Sequence, residues 1–173
     1  MMKSEIAMCK ICGNKIDSQV PRFYFPKLPQ WHNLSKWSSS ILHIDCVKSI
    51  DDKHEIGKTL ADIVQDLALK SKFEPFLHRS GNIVVRGRLD EKAIEILNFE
   101  DFIEMSFPVT SLEKIILLTP TESISSRTQT IYVLKDSKIK IESKLFTVYL
   151  SELNFLRLKD ILESPEIRAC FKN

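Results

Sequence analysis

With 173 residues, 43% hydrophobic and 28% charged, the chain is long enough for one medium domain or for a small module joined to a core domain. A net charge of +2 excludes a polyanion binder driven by bulk charge, and no unbroken apolar run exceeds four residues, as at Ile115 to Leu118, which excludes a membrane-spanning helix. The first residues, Met-Met-Lys-Ser-Glu-Ile-Ala-Met, have no secretory h-region, and three of the four cysteines fall into one metal pattern, so a reducing, cytoplasmic setting is expected. Charge is unevenly spread: residues 1–50 carry seven Lys/Arg against three Asp/Glu, whereas residues 51–110 carry eight against twelve.

Residues 1–50 read as a small zinc-binding module. Cys9 to Cys12 forms a knuckle, and Gly13 lets the backbone turn away after it. Arg22-Phe-Tyr-Phe25 is a short aromatic strand bracketed by Pro21 and Pro26. His43 and Cys46 fit the first turn of a helix, where residues three apart share a face. Asp51-Asp52 then opens a linking helix within 51–72, with Ile56, Leu60, Ile63, Val64 and Leu67 at helical spacing.

From 73 to 173 the expectation is an α+β domain built on one antiparallel sheet with flanking helices. Two hairpins are expected, one around Ser80-Gly81-Asn82 and one around Asp136-Ser137. Further strands are expected over Phe102 to Phe107, Lys114 to Leu118 and Leu145 to Leu150, with a polar loop over Thr121 to Ser126. Ala93, Ile94 and Leu97 predict a short helix over Glu91 to Asn98. Ser151 caps a helix to about Glu163, and Ser164-Pro165-Glu166 opens a last one carrying Ile167 and Phe171.

The constellation with specific chemistry is Cys9-x2-Cys12-x30-His43-x2-Cys46. Two closely spaced pairs of soft and borderline donors suit tetrahedral Zn²⁺, and four protein ligands leave no open position for water, so a structural ion is expected. His32 and His54 are the substitutes should His43 face away. This spacing resembles the zinc fingers of poly(ADP-ribose) polymerases and of a related DNA ligase. The resemblance implies ligands at Cys9, Cys12, His43 and Cys46 in a treble-clef-like module, with Arg22 where such fingers hold a basic residue. Ile41, Leu42 and Val47 stand where those fingers carry aromatic residues, and no polymerase or ligase signature follows, so the likeness bears on metal geometry. Cys-x2-Cys-Gly, an aromatic segment with Pro, then His-x2-Cys also looks like the N-terminal knuckle of small bacterial immunity-type proteins. That likeness implies a partner-binding body beyond the knuckle.

No nucleophile elbow, phosphate-binding glycine loop or His-Glu-x-x-His helix occurs. Trp31-His32-Asn33 lacks the partners of an HNH-type nuclease, and Cys170, between Ala169 and Phe171, reads as a packed thiol. The chain is therefore expected to be no enzyme. Its candidate contacts are Arg22, Trp31 and Trp37 in the basic aromatic module and the Arg86-Gly-Arg88 pair, with Lys138 and Lys140 as a solvated strand face. The first reading is a protein-binding protein, immunity-like or adaptor, with a structural zinc. The alternative is nucleic-acid binding through the basic aromatic module, by base stacking between cationic side chains.

Overall fold

The computed structural model describes residues 7–17, 20–116, 123–125, 131–135, 138–142, 147–150 and 158–171. The class is α+β. At the N-terminus the knuckle closes on itself. Met8 bridges Lys15, the Gly13 amide donates to the Cys9 carbonyl at 2.8 Å, and Gly13 adopts φ +72°, which a side chain would oppose. Strand β1 (Arg22–Tyr24) pairs antiparallel with β2 (Ile41–His43), setting Phe23 opposite Leu42. The loop between them is pinned by Ser38, whose hydroxyl accepts from the Leu28 amide at 2.7 Å and donates to the Leu28 carbonyl. Helix α1 (Ile44–Lys48) follows β2 without a break, and α2 (Lys53–Ala68) comes next.

The buried stripe of α2 is Ile56, Gly57, Leu60, Ala61, Val64 and Ala68. This differs from the expected stripe, because Leu67 is exposed and Ile63 only half-buried. Small residues explain the rotation. A Cβ on Gly57 would lie 2.4 Å from the Phe99 carbonyl oxygen, so glycine lets the helix sit directly on the chain after β5.

The first sheet is a meander of β3 (Phe76–Ser80), β4 (Ile83–Arg88), β5 (Ala93–Asn98) and β6 (Ile103–Pro108), all antiparallel and in sequence order. The β3–β4 hairpin turns at Gly81-Asn82 as the sequence predicts, with Gly81 at φ +56°. The helix expected over Glu91 to Asn98 is instead strand β5. Residues Ala93 to Leu97 are all buried, because β5 is an inner strand covered on both faces. Such a strand loses the apolar–polar alternation, and its apolar residues then mimic helical spacing. β6 keeps the alternation, with Ile103, Met105 and Phe107 inward and Glu104, Ser106 and Pro108 outward.

Helix α3 (Val109–Ile116) continues from β6, which corrects the strand expected from Lys114. Val109 and Leu112 are buried three residues apart while Glu113 and Lys114 face outward, so the run obeys a helical period. Residues 117 and 118 of that expectation lie outside the described residues. A second sheet holds β7 (Ser123–Ser125), β8 (Ile131–Lys135), β9 (Lys138–Glu142) and β10 (Thr147–Leu150), in the order β10-β9-β8-β7. The expected single sheet is therefore two sheets of four strands, and part of the expected loop at 121–126 is β7. Helices α4 (Leu158–Glu163) and α5 (Pro165–Phe171) end the chain, with α4 packed on α3. The Ser164 hydroxyl accepts from the Ile167 amide at 3.4 Å, the cap read from the sequence. The start expected at Ser151 and the Cys170 side chain lie outside the described residues.

The core is continuous across the N-terminal residues and the first sheet. Phe23 meets Phe25, Phe99 and Phe102 edge-on, at ring-centroid separations of 6.1, 6.3 and 5.5 Å. Packing therefore ties β1 to the turn between β5 and β6. Phe102 sits in that turn at φ +56°, a strained backbone that its burial holds in place.

Candidate metal centre

Three local structures converge on one point. The knuckle supplies Cys9 and Cys12, the end of β2 supplies His43, and α1 supplies Cys46. His43 is the residue before α1, in extended conformation, and Cys46 lies within the helix three residues on. One ligand atom from each of the four residues lies within 4.8 Å of all the others. The His43 Nδ1 is 3.4 Å from the Cys12 sulfur and 3.7 Å from the Cys46 sulfur. Cys9 is buried, Cys46 and His43 are half-buried and Cys12 is exposed, so the cluster lies at the surface with one sulfur sealed beneath it. The four residues are thus a group that could hold a metal ion. His32 instead accepts from the Leu34 amide through Nδ1 at 3.1 Å, inside its own loop.

The electrostatics of the donor set point the same way. Burial raises the Cys9 thiol, but backbone N–H groups of Cys12, His43 and Ile11 directed at its sulfur carry it down to about 6. Cys46 is pushed up to about 12, first by burial and then by the Cys12 and Cys9 sulfurs. Sulfurs this close resist carrying negative charge together. A divalent cation among them reverses that balance and deprotonates thiols outright.

The other candidate residues are dispersed. Trp31 is 83% exposed on the loop between β1 and β2. Trp37 is half-buried, packed against Phe25 at 5.7 Å with the Lys36 ammonium 4.4 Å above its ring. Phe23 and Phe25 are buried while Tyr24 faces outward, as strand alternation requires. Arg22 is exposed, its guanidinium 5.8 Å from the Tyr24 ring centre.

Arg86 and Arg88 are engaged within the chain. Arg86 Nε donates to Glu95 Oε2 at 2.5 Å and its Nη1 to Glu74 Oε2 at 2.9 Å. Arg88 pairs with Glu91 and lies 3.3 Å from Glu74 Oε1. These contacts fasten the segment before β3 onto β4, where the Gly87 amide also donates to the Pro75 carbonyl at 2.9 Å. The partners were absent from the sequence reading because Glu74 and Glu95 reach the arginines only through strand register. On β9, Lys140 pairs with Glu142.

No known protein family, curated protein or solved structure matches this chain. Among the described residues no helix is long and apolar enough to cross a membrane.

Proposed function

We propose that the chain is a non-enzymatic protein-binding protein, immunity-like or adaptor in kind, whose N-terminal module is locked by a structural zinc ion. The observation that carries this reading is the convergence of Cys9, Cys12, His43 and Cys46. Three thiolates and an imidazole are the soft and borderline donors that suit zinc and not calcium or magnesium. Zinc–sulfur and zinc–nitrogen bonds of about 2.3 and 2.0 Å give a tetrahedral N···S edge of about 3.5 Å. The observed edges of 3.4 and 3.7 Å bracket it. Four protein donors complete a tetrahedron, so the ion would contribute folding energy and leave no position for substrate.

Bound there, zinc would supply cross-linking between the knuckle and the β2–α1 corner. The module has two strands of three residues each, so few backbone ladder bonds hold the knuckle to the β2–α1 corner, and a metal cross-link would add to the packing of Phe23, Phe25, Leu42 and Val47. Elemental analysis of purified chain tests this. One equivalent of zinc is expected in the parent and none in Cys46→Ser, and a metal-free parent sinks the reading. Affinity capture from the native host, repeated with the chelator-stripped chain, tests for a protein partner. A nucleic-acid reading draws on exposed Trp31 and Tyr24 beside Arg22 and Lys27. It requires oligonucleotide affinity that falls steeply with added salt.

A further inference from the structure

A cleft of about 220 Å³ lies where the metal module meets the first sheet, lined by Pro21, Arg22, Phe23, Tyr24, Ile44, Ile103 and Glu104. Its walls are β1 and β6. Each is a terminal strand: β1 pairs only with β2, and β6 only with β5, among the described residues. A terminal strand turns alternate N–H and C=O groups outward, ready to accept another strand. Apolar side chains make up most of the lining, and two charged side chains stand among them. Arg22 and Glu104 form no ion pair with each other or with any other described residue. Burial, and then the charge of Glu95, raises the Glu104 carboxyl above its ordinary range, while Arg86 pulls against them. Glu104 faces outward and has no ion-pair partner among the described residues, so its carboxylate can take a cationic one from outside the chain.

We propose that this cleft is the docking site for an extended segment of a protein partner, which adds as a strand to the free edge of β1 or β6. The segment seats one large apolar side chain between Phe23, Ile44 and Ile103. It sets a Lys or Arg against Glu104 and an Asp or Glu against Arg22. Charge complementarity names the occupant. A nucleic-acid strand would satisfy Arg22 but would place phosphate beside Glu104, where like charge repels it. An apolar small molecule would leave both charges unpaired. The cleft volume holds about one aromatic or long aliphatic side chain, so backbone pairing along the edge must supply the remaining affinity, as in strand addition generally. This inference rests on the protein-binding reading and gives that reading an address.

The test uses the full, metal-loaded chain. A phage-displayed library of linear peptides is panned against it, and enriched sequences are made as free peptides. The expected winners carry a basic and an acidic residue flanking a large apolar one. Their binding should weaken at least roughly tenfold on Glu104→Lys and on Arg22→Glu. The double charge swap should favour peptides with the basic and acidic positions exchanged. Backbone amide shifts on titration should concentrate at residues 21–24 and 103–104. Both side chains are exposed, so the variants should keep the parent's metal content and far-ultraviolet circular dichroism; Glu104→Gln gives a milder second arm. No enrichment, winners that ignore both substitutions, or shifts centred elsewhere would overturn the cleft. If the native partner is still captured by both charge variants, the cleft fails while the protein-binding reading stands. If no partner protein binds the parent at all, the broader reading fails with it.

Discussion

The metal module and the β3–β6 sheet are held by different forces. The module has two three-residue strands, a knuckle and a five-residue helix, and its four clustered ligands sit near its surface. The sheet has strands of five or six residues, an inner strand buried on both faces and a helix laid against it through Gly57. The module sets four clustered donor side chains beside its buried Phe23, Phe25, Leu42 and Val47, whereas the sheet is built on apolar contacts spread along its strands. One polar device interrupts the sheet's apolar logic, the network of Arg86 and Arg88 with Glu74, Glu91 and Glu95. The regions meet at Phe23, Phe99 and Phe102 and at the ion pair of Lys48 with Asp101, 3.3 Å apart.

Metal removal should separate the two most sharply. If zinc fills the site, binding energy on the order of 10–16 kcal/mol is linked to folding of the module. Chelation should then abolish hydrogen-exchange protection over residues 7–17 and 41–48 while β4 and β5 keep theirs. Uniform loss across both regions would show that the clasp and the sheet fold as one unit.

Arg86→Ala attacks the sheet and spares the ligands. It leaves Glu95, with a side chain only 10% exposed, with just the longer Arg88 contact at 3.6 Å, which should cost about 1.5–3 kcal/mol. Zinc content should not change, and urea unfolding of metal-loaded chain measures the cost. Loss of zinc in this variant would contradict the division of forces.

Gly57→Ala probes the contact between α2 and the chain after β5. The added methyl meets the Phe99 carbonyl, so α2 must shift, at about 1–3 kcal/mol. Helix propensity alone predicts a gain of about 1 kcal/mol, so the sign of the change in melting temperature decides between the two.

The smallest effect is expected at Glu104. Its carboxyl is raised in the folded chain, so the folded state favours the protonated form. The resulting penalty is absent at pH well below the unfolded value, sets in as pH rises through it, and is complete above the folded value. Glu104→Gln should therefore be slightly more stable than the parent at pH 7 and equal to it at pH 3.5. Urea midpoints for the pair at both pH values check this, and a variant less stable at pH 7 would mean that the carboxylate has a favourable partner.

The metal ligands were legible because their chemistry is local. Each pair lies within one turn of chain, and cysteine and histidine with two residues between them announce themselves whatever surrounds them. The β3–β4 hairpin at Gly81 was legible for the same reason, since turn residues act on their own backbone; β8 and β9 pair antiparallel, and the turn expected at 136–137 between them lies outside the described residues. β5 was not legible. Its period was erased by β4 and β6 beside it and by cover on both faces, none of which is encoded within residues 93–98. The roles of Arg86 and Arg88 were likewise hidden, because Arg86 faces Glu95 only through the β4–β5 register.

The sequence by itself determined which four side chains could share an ion, where the chain turns, and that helices and antiparallel strands would be combined. Only the tertiary structure decided that the eight described strands from β3 to β10 divide into two sheets, that α2 turns Leu67 outward, and that β1 and β6 leave a cleft between them. Ligation and turn formation act over a few bonds, where residue identity is sufficient. Burial, register and edge exposure depend on which distant segments arrive alongside.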